Sequence, residues 1–149
     1  MTIEVLPPSL AEIVEVFATS PPRDRLELLL EYSHQVPPLP QRLVDHPERL
    51  EPVPECQSPL FVAAEVDPER RVHLFIDVPR EAPTTRGFAG IMQAGLDGLS
   101  ADEVLTVPPD VTDRLALAEV VSPLRLRGAS ALLGRIQRQV REQLSDIPA

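Results

Sequence analysis

The residues best suited to chemistry sit in one short stretch, Val53-Pro54-Glu55-Cys56-Gln57-Ser58-Pro59, which holds the only cysteine of the chain. A cysteine that merely fills a core stands inside an apolar periodic run. Cys56 instead has Glu55, Gln57 and Ser58 around it, a proline two positions before it and another three after, and a strand-like apolar run beyond. This setting predicts a thiol on a loop tip, open to chemistry, because irregular backbone lies at the surface and reactivity follows thiolate character and access. The competing reading is an unpaired cysteine without a role.

Partners for such a thiol are sparse. His34, His46 and His73 show no ligand-like spacing, and one cysteine cannot furnish a tetrahedral thiolate set, so a metal centre is not expected. His46 precedes Cys56 in the same proline-rich stretch, which makes a Cys-His pair formally available. No protease-like signature accompanies it, and the sequence favours a solvated loop histidine. His73 alternates with apolar residues and belongs on the exposed face of a strand. Every one of the fourteen basic residues is arginine. Without lysine the chain can form no Schiff base of its own, which excludes a self-contained pyridoxal-phosphate enzyme or class I aldolase, and a Walker A loop would lack its lysine. A GC-rich codon supply accounts for the bias, and the exclusion holds regardless.

A chain of 149 residues suits one domain, spanning 1–149, with a core of ordinary size. Apolar residues make up 43% but aromatics only 3%, so Leu, Val, Ala and Ile must fill the interior. The net charge of -9 and the acidic pI of about 4.8 repel polyanions, so neither nucleic acid nor an anionic membrane is an expected partner. A basic partner protein is easier to accommodate. Residues 1–10 carry no signal-peptide pattern, no apolar run approaches membrane-spanning length, and no second cysteine offers a disulfide. A soluble, cytoplasmic protein is expected.

The elements that must position Cys56 follow from periodicity. Ser9 and Glu12 have capping-box spacing, and Leu10, Ile13, Val14 and Phe17 share a face, which predicts a helix over 9–18. Ser20-Pro21-Pro22 starts a second helix, striped by Leu26, Leu29, Leu30 and Tyr32 and running to about Gln35; the two form a hairpin packed through Tyr32. Residues 36–54 hold six prolines and predict an ordered but irregular surface loop. Residues 59–66 and 71–78 read as strands joined by the turn Asp67-Pro68-Glu69-Arg70. Thr84 or Thr85 caps a helix over 86–96, in which Gly87, Gly90 and Gly95 imply close packing against the sheet. Ser100 and Glu103 cap a short helix, a further short segment covers 115–121, and a long helix runs over 128–144 with Leu132, Leu133, Ile136, Val140 and Leu144 inward. Helices, then a hairpin, then helices define an α+β class.

Glu55-Cys56-Gln57-Ser58 before an apolar strand resembles the Gly-Cys-Gln-Ser motif of the SufE sulfur-acceptor proteins. Thr85-Arg86-Gly87-Phe88 is similar to that family's basic-glycine-apolar element at the start of a later helix, and Ser122-Pro123-Leu124-Arg125-Leu126-Arg127-Gly128 is similar to its Pro, then Arg, then Gly segment. With the opening helix pair, the resemblance spans about residues 9–144. It implies a two-layer fold of the SufE and IscU kind, a small antiparallel sheet packed against helices. It also implies sulfur transfer: Cys56 would accept the sulfane sulfur of a persulfide on a cysteine desulfurase, stimulate that enzyme, and pass the sulfur to an iron–sulfur cluster scaffold. Such a protein is a carrier and activator rather than a free-standing enzyme. It needs no cofactor, since pyridoxal phosphate belongs to the partner. Arg125 would lend electrostatic support, Gln57 and Ser58 complete the motif, and Glu81, Arg86 and Gly87 are secondary candidates, although Pro79 and Pro83 flanking Glu81 are not usual in the family.

Glu55 departs from that motif, which commonly has glycine there. A carboxylate beside a thiol disfavours the thiolate and a side chain restricts the backbone, which predicts a thiol of near-ordinary reactivity that becomes fast only in complex. A second reading keeps the fold and the acidic surface but makes the protein a non-catalytic adaptor, with Cys56 incidental. A thiol hydrolase would require a histidine and an oxyanion donor beside Cys56.

Overall fold

A computed structural model describes residues 6–146. In chain order they form helices α1 (Pro8–Thr19), α2 (Pro22–Tyr32) and α3 (Gln41–Val44), and strands β1 (Glu51–Pro52), β2 (Phe61–Val66) and β3 (Val72–Asp77). Helices α4 (Pro83–Leu96), α5 (Ala101–Thr106), α6 (Val111–Arg114) and α7 (Pro123–Asp146) follow. The class is the expected α+β, with one small antiparallel sheet of order β1-β2-β3.

Strand alternation sorts the side chains of the sheet. Val62, Ala64, Val72, Leu74 and Ile76 face the main core, where they join Phe17, Leu29, Met92, Leu132 and Ile136 from the helices. The register pairs Val62 with Ile76 and Ala64 with Leu74. The opposite face is not bare. Leu43 and Leu50 from the proline-rich stretch bury Ala63 against Phe61 and Phe75 in a second, smaller cluster. Arg42 fastens that cover with two hydrogen bonds to the Glu65 carboxylate, of 2.8 and 2.6 Å. The prolines thus shape an ordered strap that contains α3 and contributes a third strand, β1, which its composition did not announce.

Helices α1 and α2 touch each other little and both pack on α4 instead of forming the expected tight hairpin, meeting where Tyr32 sets its ring 5.8 Å from that of Phe17. Leu29 is fully buried, whereas Leu26 and Leu30 of the same stripe stay 39% and 37% exposed. Ser9 does not cap α1. Pro7 is the cap residue and has no side-chain bond to offer, while the Ser9 hydroxyl donates to the Gly95 carbonyl on α4 at 2.9 Å.

The glycines of α4 face α1 and α2, not the sheet. A Cβ on Gly90 would stand 1.7 Å from the Tyr32 carbonyl oxygen, and one on Gly87 would stand 2.5 Å from that of Leu29. Helix α4 is therefore sandwiched, with its glycine face on α2 and Phe88, Ile91 and Met92 among its buried residues. Only the Ser100–Glu103 capping box forms as its spacing predicts, each residue's backbone N–H donating to the other's side chain at 3.2 Å. Two later boundaries differ from the periodicity. Helix α6 precedes Leu115 instead of covering 115–121, and α7 begins at Pro123, five residues before Gly128. Proline suits a first helical turn because its missing N–H has no partner there, and the Ser122 carbonyl accepts from the N–H groups of Arg125 and Leu126, both at 3.1 Å. Gly128 and Arg125 consequently lie inside the helix.

None of the described helices is long and apolar enough to cross a membrane.

Candidate functional site

Cys56 ends a 3-10 turn, Pro54–Cys56, and is followed by Gln57 in the left-handed region at φ 66°. The turn lies at the tip of the β1–β2 connection. Val53 N–H donates to Leu60 O at 2.9 Å, just beyond the Pro52–Phe61 pair that ends the ladder. The loop is therefore closed at its base. The expectation of an open thiol fails, however: Cys56 is only 5% exposed. The backbone lies at the surface as irregular segments do, but the side chain points inward, because αL geometry at Gln57 turns the chain and presents the sulfur to α7.

There the thiol donates to the Gly128 carbonyl at 3.3 Å. A cavity of about 10 Å³ adjoins it, lined by Cys56, Leu60, Thr85, Phe88, Arg125, Ala129 and Leu132, which is room for about one water-sized sphere. Burial pushes the Cys56 pKa up to about 11, the Glu55 carboxylate adds to the rise, and the Arg135 guanidinium opposes it. At neutral pH the sulfur is a buried, protonated thiol. Desolvation thus adds to the Glu55 effect that the sequence led us to expect, and both disfavour the thiolate.

Around the turn runs a ladder of charge. Arg135 Nη2 donates to both Glu55 oxygens, at 2.8 and 3.0 Å, and its Nε stands 3.2 Å from Glu51. Glu51 also receives Arg138, together with the Gln139 amide at 3.1 Å. Burial works against the Glu51 carboxylate, but the hydrogen bonds from Arg138 and Gln139 and the charges of Arg138 and Arg135 outweigh it and hold its pKa below the usual range. Strand β1, the Cys56 turn and α7 are thus joined by alternating charges.

Among the sequence-selected residues, Glu55 and Gln57 are exposed, Ser58 is half-buried, and Arg125 stands exposed in the first turn of α7 at the edge of the thiol cavity. The structure brings Arg125 to Cys56, yet the arginine whose charge favours the thiolate is Arg135. Arg86 serves the backbone, donating to the carbonyls of Ser33 at 2.9 Å and Val78 at 2.6 Å. Gly87 admits α2. Glu81 is exposed in the turn before α4 and belongs to no bond around the thiol. His46 pairs with Glu48 at 3.0 Å and His73 with Asp67 at 2.8 Å, so neither serves Cys56, and His73 does lie on the outer face of β3. Among the described residues no group of three His, Cys, Asp or Glu side chains could hold a metal.

Arg135, Glu51 and the Gly128 carbonyl escaped the sequence reading. A signal existed for the first: Arg135, Arg138, Gln139 and Gln143 recur at helical spacing on α7, a polar stripe beside the apolar one. Its partners lie some eighty positions away.

Residues 11–140 match the SufE family, described as an Fe-S metabolism associated domain. An uncharacterized SufE-like protein of Mycobacterium tuberculosis is 51% identical over 137 residues, covering 92% of this chain and 94% of that protein. SufE-like protein 1, chloroplastic/mitochondrial, of Arabidopsis thaliana is 31% identical over 138 residues, 92% of this chain but 36% of its own length. Among solved structures, the solution structure of a hypothetical protein from Thermus thermophilus superposes with a TM-score of 0.82 at 44% identity, covering 95% of this chain and 99% of that one.

Proposed function

This chain belongs to the SufE family of Fe-S metabolism associated domains, and on that premise we propose that it is a sulfur carrier that accepts persulfide sulfur on Cys56. The donor is a cysteine desulfurase, which holds the pyridoxal phosphate that this lysine-free chain cannot anchor, and the recipient is an iron–sulfur scaffold, in a cytoplasmic setting. The observation that carries the reading is the placement of the sole thiol at the tip of a base-closed loop, packed against α7 but with no substrate-sized cavity beside it. A thiol so placed is suited to a sulfur brought by another protein, not to a small molecule that diffuses in.

Transfer proceeds by thiol exchange. The turn lifts, Cys56 loses its proton to solvent or to a basic group of the partner, and the thiolate attacks the terminal sulfur of the donor persulfide. The Cys56 Sγ–S bond forms as the donor's S–S bond breaks, and the donor cysteine leaves as thiolate and takes up a proton. No external oxidant or reductant is consumed. Desolvation and Glu55 hold the resting thiol protonated, so attack waits for the docked state, where Arg125 at the mouth of the cavity is placed to face the incoming charge. The burial that now keeps the thiol from water would serve a persulfide equally, since access governs exchange with stray thiols.

A buried, protonated thiol also favours a second reading, a non-catalytic adaptor that stimulates its desulfurase by binding alone. Replacing Cys56 by Ser separates the two. The carrier reading expects mass spectrometry to find one added sulfur on the wild-type chain after incubation with desulfurase and cysteine, and expects Cys56→Ser to abolish stimulation. Equal stimulation by both proteins, with no persulfide found, would leave the adaptor. The hydrolase reading has no support in the geometry, since the thiol's partner is a carbonyl and no histidine reaches it.

A further inference from the structure

The turn that carries Cys56 packs closely on α7, but among the described residues it has few hydrogen bonds to the rest of the molecule. Its base is the Val53–Leu60 bond, and the bonds from Cys56 N–H to Val53 O and from Gln57 N–H to Pro54 O, at 3.1 and 3.4 Å, stay inside it. These would travel with the loop if it pivoted. Two side-chain bonds to α7 would not: the thiol on Gly128 O and Glu55 on Arg135. The first is a weak sulfur donor. The second is a charge-assisted contact in which one Arg135 nitrogen meets both carboxylate oxygens, with side-chain exposures of 22% for Arg135 and 40% for Glu55. Arg135 has a second charge partner in Glu51 of β1, whose carboxylate stands 3.2 Å from its Nε, although that nitrogen makes no hydrogen bond.

We propose that the Glu55–Arg135 ion pair is a latch that holds the Cys56 turn against α7, so that both residues position the thiol without taking part in its chemistry. Releasing Glu55 frees the loop to pivot at its base, while Glu51 keeps Arg135 in place to receive it again. A partner that offers Glu55 a basic group, or Arg135 an acidic one, would open the latch by exchange of ion pairs. This gives a reason for a glutamate beside the cysteine in spite of its penalty on the thiolate. The latch deepens the sulfur-acceptor reading and rests on it for its purpose, yet it concerns accessibility of the isolated protein and can be tested without any desulfurase.

Two influences of Arg135 oppose each other, and that makes the test decisive. As a nearby positive charge it favours the thiolate, so removing it from an unmoved loop would slow alkylation. As a latch it hides the sulfur, so removing it speeds alkylation. For Arg135→Gln in the full chain we expect iodoacetamide labelling, followed by intact mass, to run roughly two- to fivefold faster than wild type, the scale of one partly shielded ion pair. Hydroxyl-radical footprinting at Cys56, which reads access to the sulfur whatever its charge, should rise in parallel while β3 and α4 keep their hydrogen-exchange protection. Unchanged or slower labelling overturns the latch. If Arg135→Gln does not fold, Glu55→Gln decides, since it leaves the Arg135–Glu51 contact intact. Its labelling rate would rise merely from the lost carboxylate charge, so footprinting at Cys56 is the reading taken, and unchanged footprinting overturns the latch. Failure of sulfur transfer in a protein that shows both effects would sink the carrier reading alone.

Discussion

Gly128 and Cys56 share a space too small for one more carbon. A Cβ on Gly128 would stand 2.8 Å from the Cys56 Cα and 3.3 Å from its sulfur, while the carbonyl of the same glycine accepts the thiol proton. The glycine in the Pro–Arg–Gly segment is thus the floor on which the cysteine turn rests.

Gly128→Ala should push the turn off α7. Overpacking costs roughly 1–3 kcal/mol, offset by up to about 1 kcal/mol of helix propensity, so a small net loss in urea unfolding is expected together with faster thiol labelling. A more stable protein with an unchanged labelling rate would show that the contact does not constrain the loop.

The Cys56 pKa of about 11 lies above the ordinary value of 9.0, so the folded state binds this proton more tightly than the unfolded chain does. The stability it contributes is fully present below pH 9.0 and is lost as pH rises from there through about 11. Cys56→Ala should flatten this part of the stability profile. Two pKa units also mean roughly a hundredfold less thiolate at neutral pH, so native labelling should be slower than labelling in urea by at least that factor. A plateau in the native labelling rate below pH 9 would contradict the assignment.

Two glycine substitutions should move stability in opposite directions. Gly90→Ala drives a methyl into the Tyr32 carbonyl, 1.7 Å from the built Cβ, and should cost about 3 kcal/mol or more, or prevent folding. Gly134→Ala meets nothing within 4 Å on the exposed side of α7 and should stabilise by up to about 1 kcal/mol. Thermal melts of the two variants check the sign.

Past the end of β1, the free edge of β2 is closed by side chains. Gln139 accepts from Ala64 N–H at 2.7 Å, Gln143 accepts from Val66 N–H at 2.8 Å, and the Gln143 amide donates back to Ala64 O. Replacing both glutamines by Ala should cost roughly 1–3 kcal/mol at about 1 kcal/mol per lost bond and leave an unpaired strand edge open to association. Light scattering and urea unfolding together read both effects, and a double variant that stays monomeric with unaltered stability would refute the role.

The hairpin, the helix pair and the Ser100–Glu103 cap were legible because each is specified by neighbours within a few positions, where side-chain period and turn chemistry act directly. The same locality misled at Ser9, whose hydroxyl is recruited by Gly95 on α4, and at the α4 glycines, whose size states that something comes close without saying what. The two-residue β1 could not be read from 36–54, since its single proline-bearing rung exists only by pairing with β2.

The sequence by itself determined which chemistry this chain can and cannot perform, for the presence of one thiol and the absence of lysine are facts of composition that no folding alters. It also carried the family motifs around Cys56, Arg86 and Arg125. Only the tertiary structure decided that the thiol faces inward, where burial and Glu55 hold it protonated, and that Arg135, not Arg125, is the cation opposing them. Burial and Coulomb interaction depend on distances through space, and Glu55 and Arg135 are brought to 2.8 Å by the docking of a hairpin tip on α7.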